Sequence, residues 1–410
     1  MRPLIGAALI LALTAASAFA QLLPSLPDTV RALPGAVEGA ARDTLNTARE
    51  LTRVRENLAR DLLRQHRREL EADPNGAPIV RREIVAFAPT AVSLAAARAA
   101  GFTIARETRL EGLDAAFVVL RPPEGISTPR ALRRLREADP TGLYDFNHLY
   151  LPSGAPHAAR SRAMLQRSES ASAGGPPIGL IDGGAPANLA PGITTRGFAG
   201  AVRETAHGAA VASLILSAAP NARLFAADVY GASPTGGSAE ALAQAFAWMA
   251  RERVGVINVS LVGPANRTME ALVRAMIARG HIIVAAVGND GPAAAPLYPA
   301  SYPSVVGVTA VDARRRALPE AGRGVQVDFA ALGISQHTQG GRTSSVRGTS
   351  YAAPIVAGLL ARRLNHPDPA QSRAAIAALS ASAIDLGERG RDRTYGAGLV
   401  GQELNLAQQR

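Results

Sequence analysis

Four residues that together can carry out acyl transfer lie in four separate short segments of this 410-residue chain. Asp182 ends the apolar run Ile178-Gly179-Leu180-Ile181 and is followed by Gly183-Gly184. His207-Gly208 opens the apolar helical segment AAVASLIL, and Asn289 lies in Ala286-Val287-Gly288-Asn289-Asp290-Gly291, just past an apolar run. Ser350 follows Gly348-Thr349 and opens the helical segment YAAPIVAGLLA. A serine hydroxyl is a poor nucleophile at neutral pH unless a base takes its proton as it attacks. Imidazole has suitable basicity, and a carboxylate on its other nitrogen fixes the tautomer and stabilises the imidazolium. The oxyanion that forms needs donors of its own, which the Asn289 amide and the Ser350 N–H can supply. A helix N-terminus at Ser350 adds unpaired N–H groups and a positive dipole end.

These residues need a scaffold that delivers segment ends to one place. From residue 178 onward, short apolar runs alternate with helical stretches, the pattern of a parallel sheet with crossover helices. Strands are expected at 178–181, 223–229, 256–259, 282–286 and 305–309, and helices at 209–217, 239–251, 269–279 and 350–363. In such open α/β sheets, functional residues collect at the carboxyl ends of the strands, where Asp182 and Asn289 fall.

Singly, an Asp after a strand reads as a turn former, and a His or Ser at a helix start reads as a cap. Their joint occurrence in the order Asp, His, Asn, Ser carries more weight. GTSYAAPIVAG resembles the nucleophile motif G-T-S-x-A-x-P of the subtilases, a family of serine proteases. HGAAVASLI resembles that family's histidine motif, GLIDGG its aspartate motif, VINVSLVG its substrate-strand segment and AAVGNDGP its oxyanion segment. LYPASYPSVVGVTAV and GRDRTYGAGLV resemble later subtilase segments, so the likeness covers residues 176–402. It implies a subtilisin-like three-layer α/β fold and a serine endopeptidase with Ser350 as nucleophile, His207 as base, Asp182 as its carboxylate and Asn289 in the oxyanion hole.

The resemblance also implies that Ser260, Leu261, Val262 and Gly263 pair with a substrate strand. Ala286 and Gly288 would line the pocket for the residue before the cleaved bond, and Leu297 at its floor would favour small or medium apolar side chains. The chain departs from the family pattern at Gly183, where Thr or Ser is usual, at Ala209, where Thr is usual, and at Leu332, where Pro is common. The short stretch between Asp182 and His207 leaves little room for a calcium-binding loop, and neither a required metal nor a cofactor is expected.

Ahead of this region, residues 79–150 read as a small α+β unit of order βαββαβ, with strands at 79–88, 102–110, 115–120 and 143–149 and helices at 92–100 and 129–138. The resemblance gives this unit a role as an intramolecular chaperone and inhibitor whose last strand runs toward the active site; the alternative is a permanently attached accessory domain. The full division is a signal peptide at 1–20, an arginine-rich helical segment at 21–76, the propeptide-like unit at 77–151, a flexible linker at 152–177 and the catalytic domain at 178–403. Leu51, Val54, Leu58 and Leu62 mark one face of the arginine-rich helix, which Asp73-Pro74-Asn75-Gly76 is expected to stop.

The leader reading rests on Arg2, the run LIGAALILALTAA and the small-x-small site at Ala18-Phe19-Ala20, which predict export to the periplasm or beyond. With no cysteine there can be no disulfide or thiolate metal site. The net charge is +11 and every basic side chain is Arg, yet no arginine run is interleaved with stacking aromatics, so no nucleic-acid partner is expected. The expected partners are a protein or peptide substrate and the chain's own N-terminal unit; contact of the Arg-rich helix with an anionic membrane surface is a weaker alternative. Two other readings are an inactive subtilase scaffold and a nucleotide-binding α/β protein. GLIDGGAP lacks G-x-G-x-x-G spacing, which counts against the second.

Overall fold

A computed structural model describes residues 55–153, 174–339 and 342–404. All of these fall within one unit, Thr47–Arg410. The expected signal peptide, most of the linker and the start of the arginine-rich segment lie outside the described residues.

The C-terminal region is built on a seven-stranded sheet in the order β14-β13-β12-β10-β7-β9-β8. Its strands are β7 (Pro177–Asp182), β8 (Ile193–Gly197), β9 (Arg223–Asp228), β10 (Val256–Val259), β12 (Ile282–Ala286), β13 (Val306–Val311) and β14 (Phe329–Leu332). Every pairing in it is parallel. Strands buried on both faces need apolar residues at successive positions rather than alternate ones. VINV and IIVAA meet that demand, each fully buried. One face packs under helices Ala206–Ala218 and Thr349–Ala361 through Ile178, Leu180, Val211, Ile215 and Val356. The other packs under helices Ala239–Arg251 and Arg267–Ala278 through Ile181, Ile257, Ile283, Leu242, Phe246 and Leu272. The result is the three-layer α/β architecture expected. The strand order reverses at β7, with β9 on one side and β10 on the other, so Asp182 ends the strand at the switch point.

The N-terminal region has a five-stranded antiparallel sheet of β1 (Leu70–Ala72), β2 (Pro78–Phe87), β3 (Thr103–Leu110), β4 (Ala115–Arg121) and β5 (Tyr144–His148). Helices Ala91–Ala99 and Thr128–Ala138 cover one face of it. Period-2 alternation sorts its side chains. Ile84, Ala86, Val118 and Leu120 face these helices, whereas Val85, Phe87, Phe117 and Val119 join the cluster containing Leu242 and Phe246 of the α/β unit.

Strand β5 lies across the starts of the two helices it meets there. An Asp145 carboxylate oxygen accepts from Arg267 N at 2.7 Å, and Asn147 Oδ1 accepts from Glu240 N at 3.1 Å. Both satisfy helix-end N–H groups that have no partner within their own helix. Arg106 adds a two-pronged contact to Glu240 at 2.9 and 2.7 Å.

Two expectations need correction at the N-terminal end. Helix 55–65 buries Ala59 and packs Leu62 and Leu63 against Leu70, Val80 and Leu149, while Leu58, assigned to the apolar face, is 45% exposed. The helix also ends well before Asp73. β1 intervenes, and Asp73–Gly76 is the turn of a β1–β2 hairpin, with Asp73 Oδ1 accepting from Asn75 N and Ala77 N at 2.8 Å each. A three-residue strand, LEA, carries too little alternation to be legible.

Candidate active site

Asp182 sits at the end of β7, 1% exposed, and His207 Nδ1–H donates to its Oδ1 at 2.9 Å. The same oxygen accepts from Gly183 N at 2.6 Å. Thr205 caps the helix that carries His207, its hydroxyl accepting from Gly208 N at 2.9 Å. Two close approaches bring these segments together. A Cβ on Gly208 would stand 2.3 Å from the Gly183 carbonyl oxygen, and one on Gly183 would stand 2.4 Å from Thr205 Oγ1. Gly183, one of the departures from the family pattern, is thus the residue that makes room for the Thr205 cap. Asp182 Oδ2 is buried and has no hydrogen-bond partner among the described residues.

Ser350 is wholly buried in the first turn of helix Thr349–Ala361. The helix is entered through Gly348 at φ 134°, a conformation that disfavours any side chain, and a Cβ there would stand 3.0 Å from Asn289 Nδ2. Asn289 is held by its own carbonyl: Oδ1 accepts from Thr349 N at 2.9 Å, and Nδ2 is buried without a partner among the described residues. Thr349 Oγ1 in turn accepts from Gly288 N at 3.2 Å. The Tyr351 ring lies 5.4 Å from the His207 ring, centroid to centroid, so the histidine stands beside the serine helix. Burial, with the nearby Asp182 charge, pushes the Tyr351 hydroxyl far above its ordinary value and keeps it neutral.

The structure therefore brings Asp182, His207, Asn289 and Ser350 to one place. It joins the first two by a hydrogen bond and leaves His207 Nε2 buried without a partner among the described residues. The Ser350 hydroxyl instead meets Ser153 Oγ at 2.7 Å. Ser153 follows β6 (Leu151–Pro152), which pairs antiparallel with β11 (Leu261–Val262) in the register Pro152 to Leu261 and Leu151 to Val262. Ser153 N donates to Ser260 O at 3.2 Å. Upstream, Tyr150 N donates to Gly237 O at 2.8 Å, and Tyr150 O accepts from Tyr230 at 3.1 Å. The Tyr150 ring occupies the space above Gly263, where a Cβ would stand 2.6 Å from it.

Of the expected substrate-contacting residues, Ser260, Leu261 and Val262 carry the tail of the N-terminal unit, and Gly263 bridges to Tyr298 while lying under Tyr150. Leu297 closes over Gly288, its Cδ1 2.5 Å from where a Cβ would stand, whereas Ala286 is packed into the core beneath the serine helix. Several contributors escaped the sequence reading. Asn258 Nδ2 donates to Ser260 Oγ at 2.8 Å, and that hydroxyl donates to Ser350 O at 3.1 Å, tying the substrate strand to the serine helix. Arg55 pairs with Asp290, 6% exposed and next to Asn289. The N-V-S spacing of Asn258 and Ser260 on one strand face was the one available signal.

A sequence profile of the subtilase family matches residues 196–398. The alkaline protease of Alkalihalobacillus alcalophilus is 37% identical over 46% of this chain and 49% of its own length, so the chain spans about half of that relative. Subtilisin Savinase of Lederbergia lenta is 36% identical over 46% of this chain and 70% of its own length. Among solved structures, fervidolysin from Fervidobacterium pennivorans, a keratinolytic enzyme related to subtilisin, superposes with a TM-score of 0.62 at 17% identity. That superposition covers 80% of this chain and 61% of fervidolysin, and it extends the likeness of fold into the N-terminal region. The fold, the motif segments and the extent of the Savinase match place this chain in the subtilase family.

Proposed function

We propose that this chain is a serine endopeptidase and that its own N-terminal unit is both its first substrate and its inhibitor. Ser350 Oγ attacks the carbonyl carbon of the scissile peptide while His207 Nε2 takes its proton. Asp182 holds the imidazole by Nδ1 and stabilises the imidazolium. Asn289 Nδ2–H and the Ser350 N–H receive the oxyanion. His207 then protonates the leaving amine, and water repeats the sequence on the acyl-enzyme with the same base.

The observation that carries this reading is the seating of Leu151–Pro152–Ser153 along Leu261–Val262, with Ser153 against Ser350. A peptide held as an added strand presents its backbone in a fixed register, which is what a protease needs before it can select side chains. In that register, the peptide bond after Ser153 is the one to be cut. Leu297 lying over Gly288 leaves room for a small residue at the position of Ser153, and serine meets that requirement. The N-terminal unit stays docked through its sheet face and the β5 caps, so the cut tail remains in the cleft until the unit leaves. Residues 1–20 serve export, and no helix among the described residues is long and apolar enough to cross a membrane.

Intact mass after fluorophosphonate treatment tests the proposal. One adduct on a chain beginning just after Ser153, and none on Ser350→Ala, is the expected result. An adduct on the uncut chain would keep the endopeptidase and remove the self-processing. No adduct on any form would remove the endopeptidase.

A further inference from the structure

The two proposed oxyanion donors stand on separate segments: Asn289 follows β12, and the Ser350 N–H lies in the first turn of helix Thr349–Ala361. Such donors stabilise a developing charge only if their spacing is set before it develops. On one side that spacing is held by Thr349. Its N–H donates to Asn289 Oδ1 at 2.9 Å, and its hydroxyl accepts from Gly288 N at 3.2 Å.

The loop that carries Asn289 is not stiff by itself. It turns through Gly288 at φ 98° and Gly291 at φ 94°, a region that glycine enters at no steric cost. A neighbouring segment, residues 320–322, runs beside it and makes a backbone bond to each end. Gly291 N donates to Glu320 O at 2.8 Å, and Gly322 N donates to Gly288 O at 3.0 Å.

Glu320 then reaches across to the serine segment. Its carboxylate oxygens accept from Arg347 Nε at 2.5 Å and Nη2 at 3.0 Å, a two-pronged arrangement that fixes direction as well as distance. The Glu320 side chain is 13% exposed and that of Arg347 34%, so water screens the pair only in part. Arg347 ends strand Arg342–Arg347, where it is paired with Ile334, and the next residue donates from Gly348 N to Gly333 O at 2.9 Å. The arginine is therefore seated on a fixed piece of backbone.

These contacts close a ring. It runs along the loop from Asn289 to Gly291, across to Glu320, through the ion pair to Arg347, and back by Gly348 and Thr349 to Asn289. With the ion pair cut, the Thr349 bonds are the direct hydrogen bonds left between the loop and the serine segment among the described residues. Arg55 pairs with Asp290 on the same loop, but it belongs to the N-terminal helix and leaves with that unit. Glu320 and Arg347 both belong to the α/β unit and stay.

We propose that Glu320 and Arg347 are positioning residues, their ion pair holding the Asn289 amide at the spacing from the Ser350 N–H that the oxyanion requires. The inference rests on the reading of this chain as a serine endopeptidase. Neither side chain touches the reacting atoms, so the effect of the pair must pass through Asn289. Misplacing a positioned group by about 1 Å can cost about a hundredfold in rate, which sets the upper end of the expected loss.

A double-mutant cycle in the enzyme obtained from the full-length chain tests this. Arg347→Met and Glu320→Leu should each lower kcat by about ten- to a hundredfold with KM little changed. In an Asn289→Ala background, where the donor is already gone, either change should alter kcat by less than about threefold. A loss of the same factor in both backgrounds would overturn the proposal, because a merely structural pair acts without regard to Asn289. No loss in either background would overturn it too. Amide hydrogen exchange on full-length Ser350→Ala gives a readout that needs no turnover. There Arg347→Met should speed exchange at Gly291 about tenfold, and unchanged exchange would overturn the brace. Failure of fluorophosphonate to label Ser350 in the otherwise unaltered chain would remove the protease reading and leave the exchange result intact.

Discussion

The two sheets of this molecule bury themselves in different ways. The parallel sheet has helices on both faces, all from its own region of the chain, and its strands are apolar at successive positions. Among the described residues, the antiparallel N-terminal sheet has helices of its own region on one face only. Its other face, with Val85, Phe87, Phe117 and Val119, is covered by helices Ala239–Arg251 and Arg267–Ala278 of the α/β unit. The N-terminal unit is therefore half-finished without its partner, and the contact it depends on is continuous with the strand that enters the cleft. The α/β unit keeps every residue of the proposed chemistry and loses only a cover.

The largest effect should separate chemistry from cover. Ser350→Ala is expected to lower kcat by about a millionfold and abolish self-cleavage. Because the residue is small and sits at a helix start, the urea midpoint should barely move. A variant that kept measurable fluorophosphonate labelling would show that another group is the nucleophile.

Next, the shared face can be broken directly. Phe117→Ala removes a wholly buried ring at the junction and should cost about 3–5 kcal/mol, read by urea unfolding of the Ser350→Ala chain. Leu132→Ala, in the N-terminal unit's own core, should cost about 2–5 kcal/mol. If the sheet face is what docks the unit, Phe117→Ala should also speed labelling of Ser350 in the active chain more than Leu132→Ala does. Equal acceleration would mean that fold stability, not docking, keeps the cleft closed.

The same contrast decides what could be read from the sequence. Fully buried parallel strands and the motifs at their ends were legible because apolar runs and glycine-flanked polar residues are local signals. Strands β2 to β5 were legible by alternation. β1, β6 and β11 were not, since two or three residues carry no period and their pairing is set by segments far away in sequence, and the parallel sheet's two edge strands, β8 and β14, were not assigned either. Nor was the role of Ser153, whose meaning lies in a partner 197 residues distant. The four candidate site residues were named from order and context. What the sequence could not tell was that the Ser350 hydroxyl would face Ser153 rather than His207, because that depends on a tail laid in by tertiary contact.

Within the α/β unit, the oxyanion donor should matter less than the nucleophile. Asn289→Ala is expected to lower kcat by about a hundred- to a thousandfold, with KM little changed. The substitution also removes the acceptor for Thr349 N, so a fall in thermal stability should accompany it. Asn289→Asp keeps that acceptor and supplies no donor. If loss of the donor is what slows catalysis, both variants should be slow, and Asn289→Asp should be the more stable of the two.

The smallest expected effect lies inside the α/β unit alone. There His281 is buried, 4% exposed, with Nδ1–H donating to Val254 O at 2.7 Å. Burial pushes the His281 imidazole down to about 4, with Arg279 adding to the shift and the Val254 bond opposing it. Between that value and the ordinary 6.5, the unfolded chain binds a proton that the folded chain refuses. Stability is thus fully present above about pH 6.5 and is lost as pH falls toward about 4, by about 3 kcal/mol in all. His281→Asn keeps a donor for Val254 O and cannot titrate, so the slope of unfolding free energy against pH should flatten over that window. A slope left unchanged by His281→Asn would mean that another group carries the acid sensitivity over that window.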